Sequence, residues 1–254
     1  MMLTTHDDSR LALECERRII NAWPALATLV VGDWVLRFAN GYSGRANSAT
    51  PLAYGAELDG AALDMLEELY RADGLPPAIR LTPLVAEATR EAVLARGYAV
   101  RDRSFGMIAP LAGLPVSAEA EFQIEARPEA EWIAGVAALQ SGAKTHAGNL
   151  AAIVEKIRMP AAFASWLVEG EPVAFGMAVA ERGMAEIGLI CVDPTHRGKG
   201  LGRRIVAGLM GWAGATGCHS AYLQVEQGNA VALGLYRSLG FRQLYAYETR
   251  LLAG

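Results

Sequence analysis

Three apolar runs follow one another at residues 161–168, 173–180 and 185–192, punctuated only by short segments carrying Gly170 and Gly183. Runs of that length joined by glycine-bearing turns are expected to pair as an antiparallel meander. The third run ends at Cys191 and Val192. It leads through Asp193-Pro194-Thr195-His196 into Arg197-Gly198-Lys199-Gly200-Leu201-Gly202, and a helix is predicted over 200–215. A strand, a glycine-rich turn and a helix start, in that order, build an anion site. The first N–H groups of a helix have no internal partner, and the helix dipole favours negative charge there. Glycines let the backbone approach a phosphate, and Arg197 and Lys199 can add charge-assisted hydrogen bonds. Two other phosphate motifs fail. Arg203 stands where a dinucleotide fingerprint needs its third glycine, and Gly200 follows Lys199 where a P-loop needs Ser or Thr.

Downstream, Asn229 opens a predicted helix over 229–239 and Tyr236 lies seven residues on, nearly two turns later, so both project from one face. A tyrosine there suits protonation of a departing thiolate, because the ordinary phenol value of about 10 lies near that of an alkyl thiol. The plainer alternative makes Tyr236 a packing residue and Asn229 an N-cap.

The rest of the chain alternates elements. A helix is predicted over 9–21, a hairpin over 27–31 and 34–39 around Gly32-Asp33, helices over 61–71 and 83–96, and strands over 78–81, 98–100 and 104–108. Residues 110–115 hold two prolines and a glycine and mark a boundary between domains at 1–112 and 113–254. Then come a strand over 121–126, helices over 129–141 and 149–158, the meander and the helix at 200–215. A strand over 221–225, the helix at 229–239 and a strand over 241–252 close the chain.

Net charge is -4 with a pI near 5.7, which gives no electrostatic reason to expect nucleic acid. There is no basic run that suggests a membrane surface, no bilayer-spanning apolar stretch, and no secretory pattern in the polar residues 1–10. Cys15, Cys191 and Cys218 form no C-x-x-C pair, which argues against a disulfide framework or a zinc knuckle. A reduced, cytoplasmic protein without a metal is expected.

The pattern Arg197-x-x-Gly200-x-Gly202 after a strand, followed by Asn229, Tyr236 and Gly240-Phe241, resembles the GNAT N-acetyltransferase superfamily over roughly residues 121–252. The segments Trp34-Val35-Leu36-Arg37-Phe38-Ala39 and Gly41-Tyr42-Ser43-Gly44-Arg45-Ala46-Asn47-Ser48 resemble bacterial members with a degenerate GNAT-like first half. The resemblance implies an α/β (in the looser sense α+β) fold of two GNAT-like units. Their sheet would be mixed and mostly antiparallel, with the second unit complete and splayed where the cofactor enters. It implies acetyl-CoA as acyl donor and one site per chain, since no R-x-x-G-x-G loop occurs before residue 112. Residues 197–202 would hold the pyrophosphate, Ile190, Cys191 and Val192 the pantetheine arm through their main chain, and Asn229 the same arm. Tyr236 would be the general acid.

The general base is open. Glu186, on the strand leading to the loop where some relatives carry a base, is placed first, with Glu226 and His146 behind it. A salt-bridged or solvated strand carboxylate is the alternative for Glu186. Arg45, Asn47 and Ser48 either line the acceptor pocket or fix a strand and turn. The expected activity is acetyl transfer to a primary amine by direct attack, the acceptor being a small molecule or a peptide. A non-catalytic acyl-CoA-binding sensor is the rival reading, and a nucleotide-binding oxidoreductase is disfavoured by the failed fingerprint. Oligomeric state stays open, a homodimer included.

Overall fold

The computed structural model describes residues 6–111, 117–140 and 143–253, and the side chains of all of these except residues 6 and 143–146. In chain order the elements are α1 (His6–Ala22), β1 (Ala27–Val31), β2 (Trp34–Phe38), β3 (Thr50–Pro51), α2 (Gly60–Ala72), β4 (Ala78–Leu81), α3 (Glu87–Ala95) and β5 (Ala99–Pro110). They continue with β6 (Phe122–Glu125), α4 (Ala130–Leu139), α5 (Ala143–Val154), β7 (Ala161–Val168), β8 (Glu171–Glu181), β9 (Met184–Val192), α6 (Leu201–Ala215), β10 (Ser220–Glu226), α7 (Ala230–Ser238) and β11 (Arg242–Leu251). The fold is α+β with mixed, mostly antiparallel strand pairing.

Two units share these elements. The first takes the described residues through Gly106, together with Glu226–Gly228 and those from Gln243 on; the second takes Met107–Val225 and Asn229–Arg242. The sequence boundary at 112/113 falls on residues 112–116, which lie outside the described residues. Antiparallel pairing of β11 with β4, from Glu248↔Leu81 to Leu251↔Ala78, places the final strand in the first unit.

In the first unit, Gly32 at φ +53 closes the two-residue turn of the β1–β2 hairpin, with Val31 opposite Trp34. All five residues of β2 are buried. Helix α2 begins at the Asp59 N-cap, whose side chain accepts from Ala62 N–H at 2.8 Å. It buries Leu63, Leu66 and Tyr70, three to four residues apart, against Trp34, Leu36 and Phe38 in one core. A fully buried ion pair also sits in this unit. Arg80 meets Glu16 at 2.9 Å, the Tyr245 hydroxyl donates to Glu16, and the Arg80 guanidinium lies 4.4 Å from the Tyr247 ring centroid.

In the second unit the strand order is β10-β9-β8-β7-β6. The meander β7–β8–β9 is antiparallel throughout, while β10 pairs with β9 in parallel. Helix α6 lies on one face, where Ile205 and Leu209 occupy the space that a Cβ at Gly176 would need. On the opposite face α4 packs through Gly135, whose Cβ would stand 2.2 Å from the Phe175 ring. Paired residues of an antiparallel ladder share a face. Register therefore places Phe163, Phe175, Met177, Gly188 and Glu186 on the α4 face.

Candidate active site

Parallel pairing of β9 with β10 runs from Met184↔Ser220 to Glu186↔Tyr222, and the register ends there. Both strands continue, β9 to Val192 and β10 to Glu226, so they diverge from Glu186 onward. On its other edge β9 carries a bulge. Between Phe175↔Cys191 and Met177↔Gly188, three steps along β9 oppose two along β8, and Leu189 adopts φ +54. A leucine in the left-handed region costs about 1–3 kcal/mol. Here the cost accompanies a change in the direction of the strand end that carries Ile190, Cys191 and Val192.

The chain then turns into α6. Asp193 N–H donates to Val173 O at 2.8 Å, and the Asp193 side chain accepts from Thr195 N–H at 2.8 Å, capping a 3-10 turn over Pro194–His196. Those Thr195 hydrogen bonds hold the Asp193 carboxyl below its usual value. Arg197 is exposed and its Nε donates to Val192 O at 3.2 Å, folding the guanidinium back toward the strand end. Gly198 at φ +76 and Gly200 at φ +80 both lie in the left-handed region, with no atom within 4 Å of where a Cβ would stand.

Gly200 is the N-cap of α6 and provides no side-chain cap; the Arg204 N–H to Gly200 O bond, at 3.1 Å, opens the helical ladder. The N–H groups of Leu201, Gly202 and Arg203 precede that bond and have no helical carbonyl to meet. Lys199 is exposed beside them. A Cβ at Gly202 would stand 3.2 Å from Leu235 and 3.6 Å from Val192. This close approach gathers the helix start, α7 and the end of β9 in one place.

Asn229 caps α7, its Oδ1 accepting from Ala232 N–H at 3.0 Å. The capping role foreseen for it is thus present. Tyr236 is half-buried on α7, edge-on to Phe241 with ring centroids 5.8 Å apart. Glu186 is 1% exposed, at the residue where β9 leaves β10. Its carboxylate folds along the strand over Gly188, where an added Cβ would stand 2.9 Å from Oε1. Burial pushes the Cys191 thiol up to about 12 despite the nearby Arg197, so it is held as a thiol and is no nucleophile at neutral pH. Glu226 is exposed and belongs to the first unit, and the side chain of His146 lies outside the described residues.

The three residues expected at the acceptor pocket behave differently. Asn47 is buried; its Oδ1 accepts from Ala39 and Gly41 N–H, and its Nδ2 donates to Ser43 O at 2.7 Å. Ser48 is fully buried and donates to Gly44 O at 2.8 Å. The polar atoms of these two brace the 39–48 loop, the role given by the turn-fixing alternative. Arg45 is half-buried, its guanidinium 6.0 Å from the Trp23 ring centroid and its carbonyl accepting from Arg37 at 2.6 Å.

Sequence reading did not find the Leu189 bulge. It also passed over Gly188, although a glycine inside an apolar strand marks a bulge or a close approach. Among the described residues no cluster of His, Cys, Asp and Glu could hold a metal ion, and no helix is long and apolar enough to cross a membrane.

Comparison with known proteins agrees with this fold. The chain is 26% identical over 250 residues to the uncharacterized N-acetyltransferase YobR of Bacillus subtilis, covering 96% of this chain and 99% of that one. Two solved structures share the fold. A GCN5-related N-acetyltransferase from Kribbella flavida matches with a TM-score of 0.71 at 17% identity, over 96% of each chain. A tandem GNAT protein from the clavulanic acid biosynthesis pathway matches with a TM-score of 0.62 at 12% identity, over 96% of this chain and 93% of that one. A family model described as "Probable histone acetyltransferase Rv0428c C-terminal" matches residues 13–249. By that match, which spans nearly all of both units, the chain belongs to the Rv0428c C-terminal family of the GNAT N-acetyltransferase superfamily.

Proposed function

We propose that this protein moves an acetyl group from acetyl-CoA to a primary amine by direct attack, at a single site in the second unit. The observation that carries the reading is the divergence of β9 from β10 beyond Glu186 and Tyr222, beside a helix start with no side-chain cap. The residues fit a diphosphate-bearing thioester. Gly198 and Gly200 leave their surroundings clear of side chain, Leu201, Gly202 and Arg203 offer N–H groups, and Arg197 and Lys199 add positive charge. The main chain of Ile190, Cys191 and Val192 holds the pantetheine arm, with Asn229 at the start of α7 as a further contact.

When bound, the thioester supplies an electrophilic carbonyl carbon and a thiolate leaving group. Main-chain N–H groups at the end of β9 polarise that carbonyl. Tyr236 donates its hydroxyl proton to the departing sulfur. Glu186 accepts the proton of the amine through a relaying water, its carboxylate being buried at the head of the opening. The matching family's description names a histone acetyltransferase, so lysine-bearing peptides belong beside small amines as acceptors.

The test is an acceptor panel assayed with acetyl-CoA by release of free thiol. Tyr236→Phe is expected to lower kcat by about 100-fold or more while coenzyme A binding is kept. Unchanged turnover removes Tyr236 from the acid role. Coenzyme A binding with no turnover on any acceptor favours the sensor reading instead.

A further inference from the structure

The first unit contains a cleft of about 370 Å³ between the β4–α3 connection and β11. That volume lies within the roughly 300–1,000 Å³ typical of small-molecule sites. Its lining is chemically lopsided. Arg90, Arg103 and Arg250 supply three guanidinium groups, and Glu248 is the only carboxylate among the lining residues. Glu248 is already saturated: its Oε1 accepts from Arg103 Nε at 2.9 Å and its Oε2 from Arg250 Nη2 at 2.7 Å. Burial alone would raise the Glu248 carboxyl, yet hydrogen bonds from Arg250 and Arg103 hold it below its usual value.

The rest of the positive charge is poorly opposed. Arg90 donates Nη2 to Thr82 O at 3.0 Å, and its nearest carboxylate, Glu87, stands 3.6 Å from Nε with a side chain 75% exposed. A pair that loose and solvated neutralises little. Nη1 of Arg90 and both terminal nitrogens of Arg103 make no hydrogen bond among the described residues. Beside these donors the wall turns apolar, with Pro83, Ala246 and Leu94, one of the few large hydrophobic side chains left exposed. Guanidinium forks match planar carboxylates two nitrogens to two oxygens, and an apolar wall beside them adds affinity for an attached hydrocarbon.

We infer that this cleft binds a small organic carboxylate, its anionic head on Arg90 and Arg103 and its apolar body against Leu94 and Pro83. The inference stands apart from the acyl-transfer reading, because every lining residue belongs to the first unit.

Calorimetric titration of the full chain with hexanoate tests it, with inorganic phosphate and hexylamine as comparison probes. Hexanoate is expected to bind saturably and hexylamine not at all. Affinity for hexanoate should fall about tenfold or more in Arg103→Gln and in Arg90→Gln. Arg103 has a side chain 57% exposed, so its replacement leaves the fold intact and decides the matter even if Arg90→Gln, losing the Thr82 bond, does not fold. No saturation by about 10 mM hexanoate, or equal affinity in the variants, overturns the site. Phosphate binding as tightly as hexanoate overturns the apolar half of the claim.

Discussion

A methyl group at residue 188 would stand 3.1 Å from Oε2 and only 2.9 Å from Oε1 of Glu186, the latter closer than real Cβ atoms come. Gly188→Ala must therefore displace the carboxylate from the point where β9 leaves β10. The expected result is a fall of at least about tenfold in acetyl transfer. Coenzyme A affinity, held by other residues, should change little. Activity kept at the natural level would show that the Glu186 position does not matter. The buried pair Glu16–Arg80 permits a second residue-scale prediction. Arg80→Met alone leaves Glu16 uncompensated and should cost about 3–5 kcal/mol in urea denaturation, whereas Glu16→Leu with Arg80→Met together should cost clearly less. At this scale the sequence was partly legible. Gly200 and Asn229 stand at the starts of α6 and α7, because each follows from a local rule for turns and helix starts. Asn47 and Ser48 were ambiguous, because nothing in their neighbours' identities tells which backbone groups will come within hydrogen-bond reach.

Elements were read from periodicity, and most hold. The three runs of the meander appear as β7, β8 and β9, and α6 and α7 begin within a residue of their expected starts. Differences have local causes. The helix expected over 83–96 begins only at Glu87, because residues 84–86 hydrogen-bond with Ala56 instead. The strands expected over 98–100 and 104–108 are one strand, β5. The polar stretch Arg101-Asp102-Arg103 breaks the hydropathy but not the backbone ladder. The helix expected over 149–158 is α5, shifted to Ala143–Val154, and turn bonds from Lys156 to Ile153 and from Ile157 to Val154 follow its end. The start of α6 supports its own prediction. Gly200→Ala forces a side chain into φ +80 with no compensating contact, at about 1–2 kcal/mol. Coenzyme A affinity by calorimetry should drop about tenfold as the turn relaxes. An unaltered dissociation constant would mean that this helix start does not hold the cofactor.

At the scale of the whole molecule, the chain returns to its first unit at the end. β11 gives that unit its ladder with β4, the Tyr245 hydroxyl on Glu16 and the Tyr247 ring against Arg80. A chain ending at Arg242 should lose hydrogen-exchange protection in β2 and α2, where the first core lies; retained protection would show that β11 is dispensable to it. The sequence by itself determined the order and type of most elements, the glycine turn before α6 and the capped start of α7. Periodicity, turn chemistry and helix capping act over a few residues and leave their mark in composition. Only the tertiary structure decided where β9 parts from β10, that the Glu186 carboxylate lies over Gly188, and which unit the last strand completes. Those outcomes rest on pairing between segments as far apart as Ala78 and Leu251, whose hydrogen bonds depend on register and burial that no local pattern encodes.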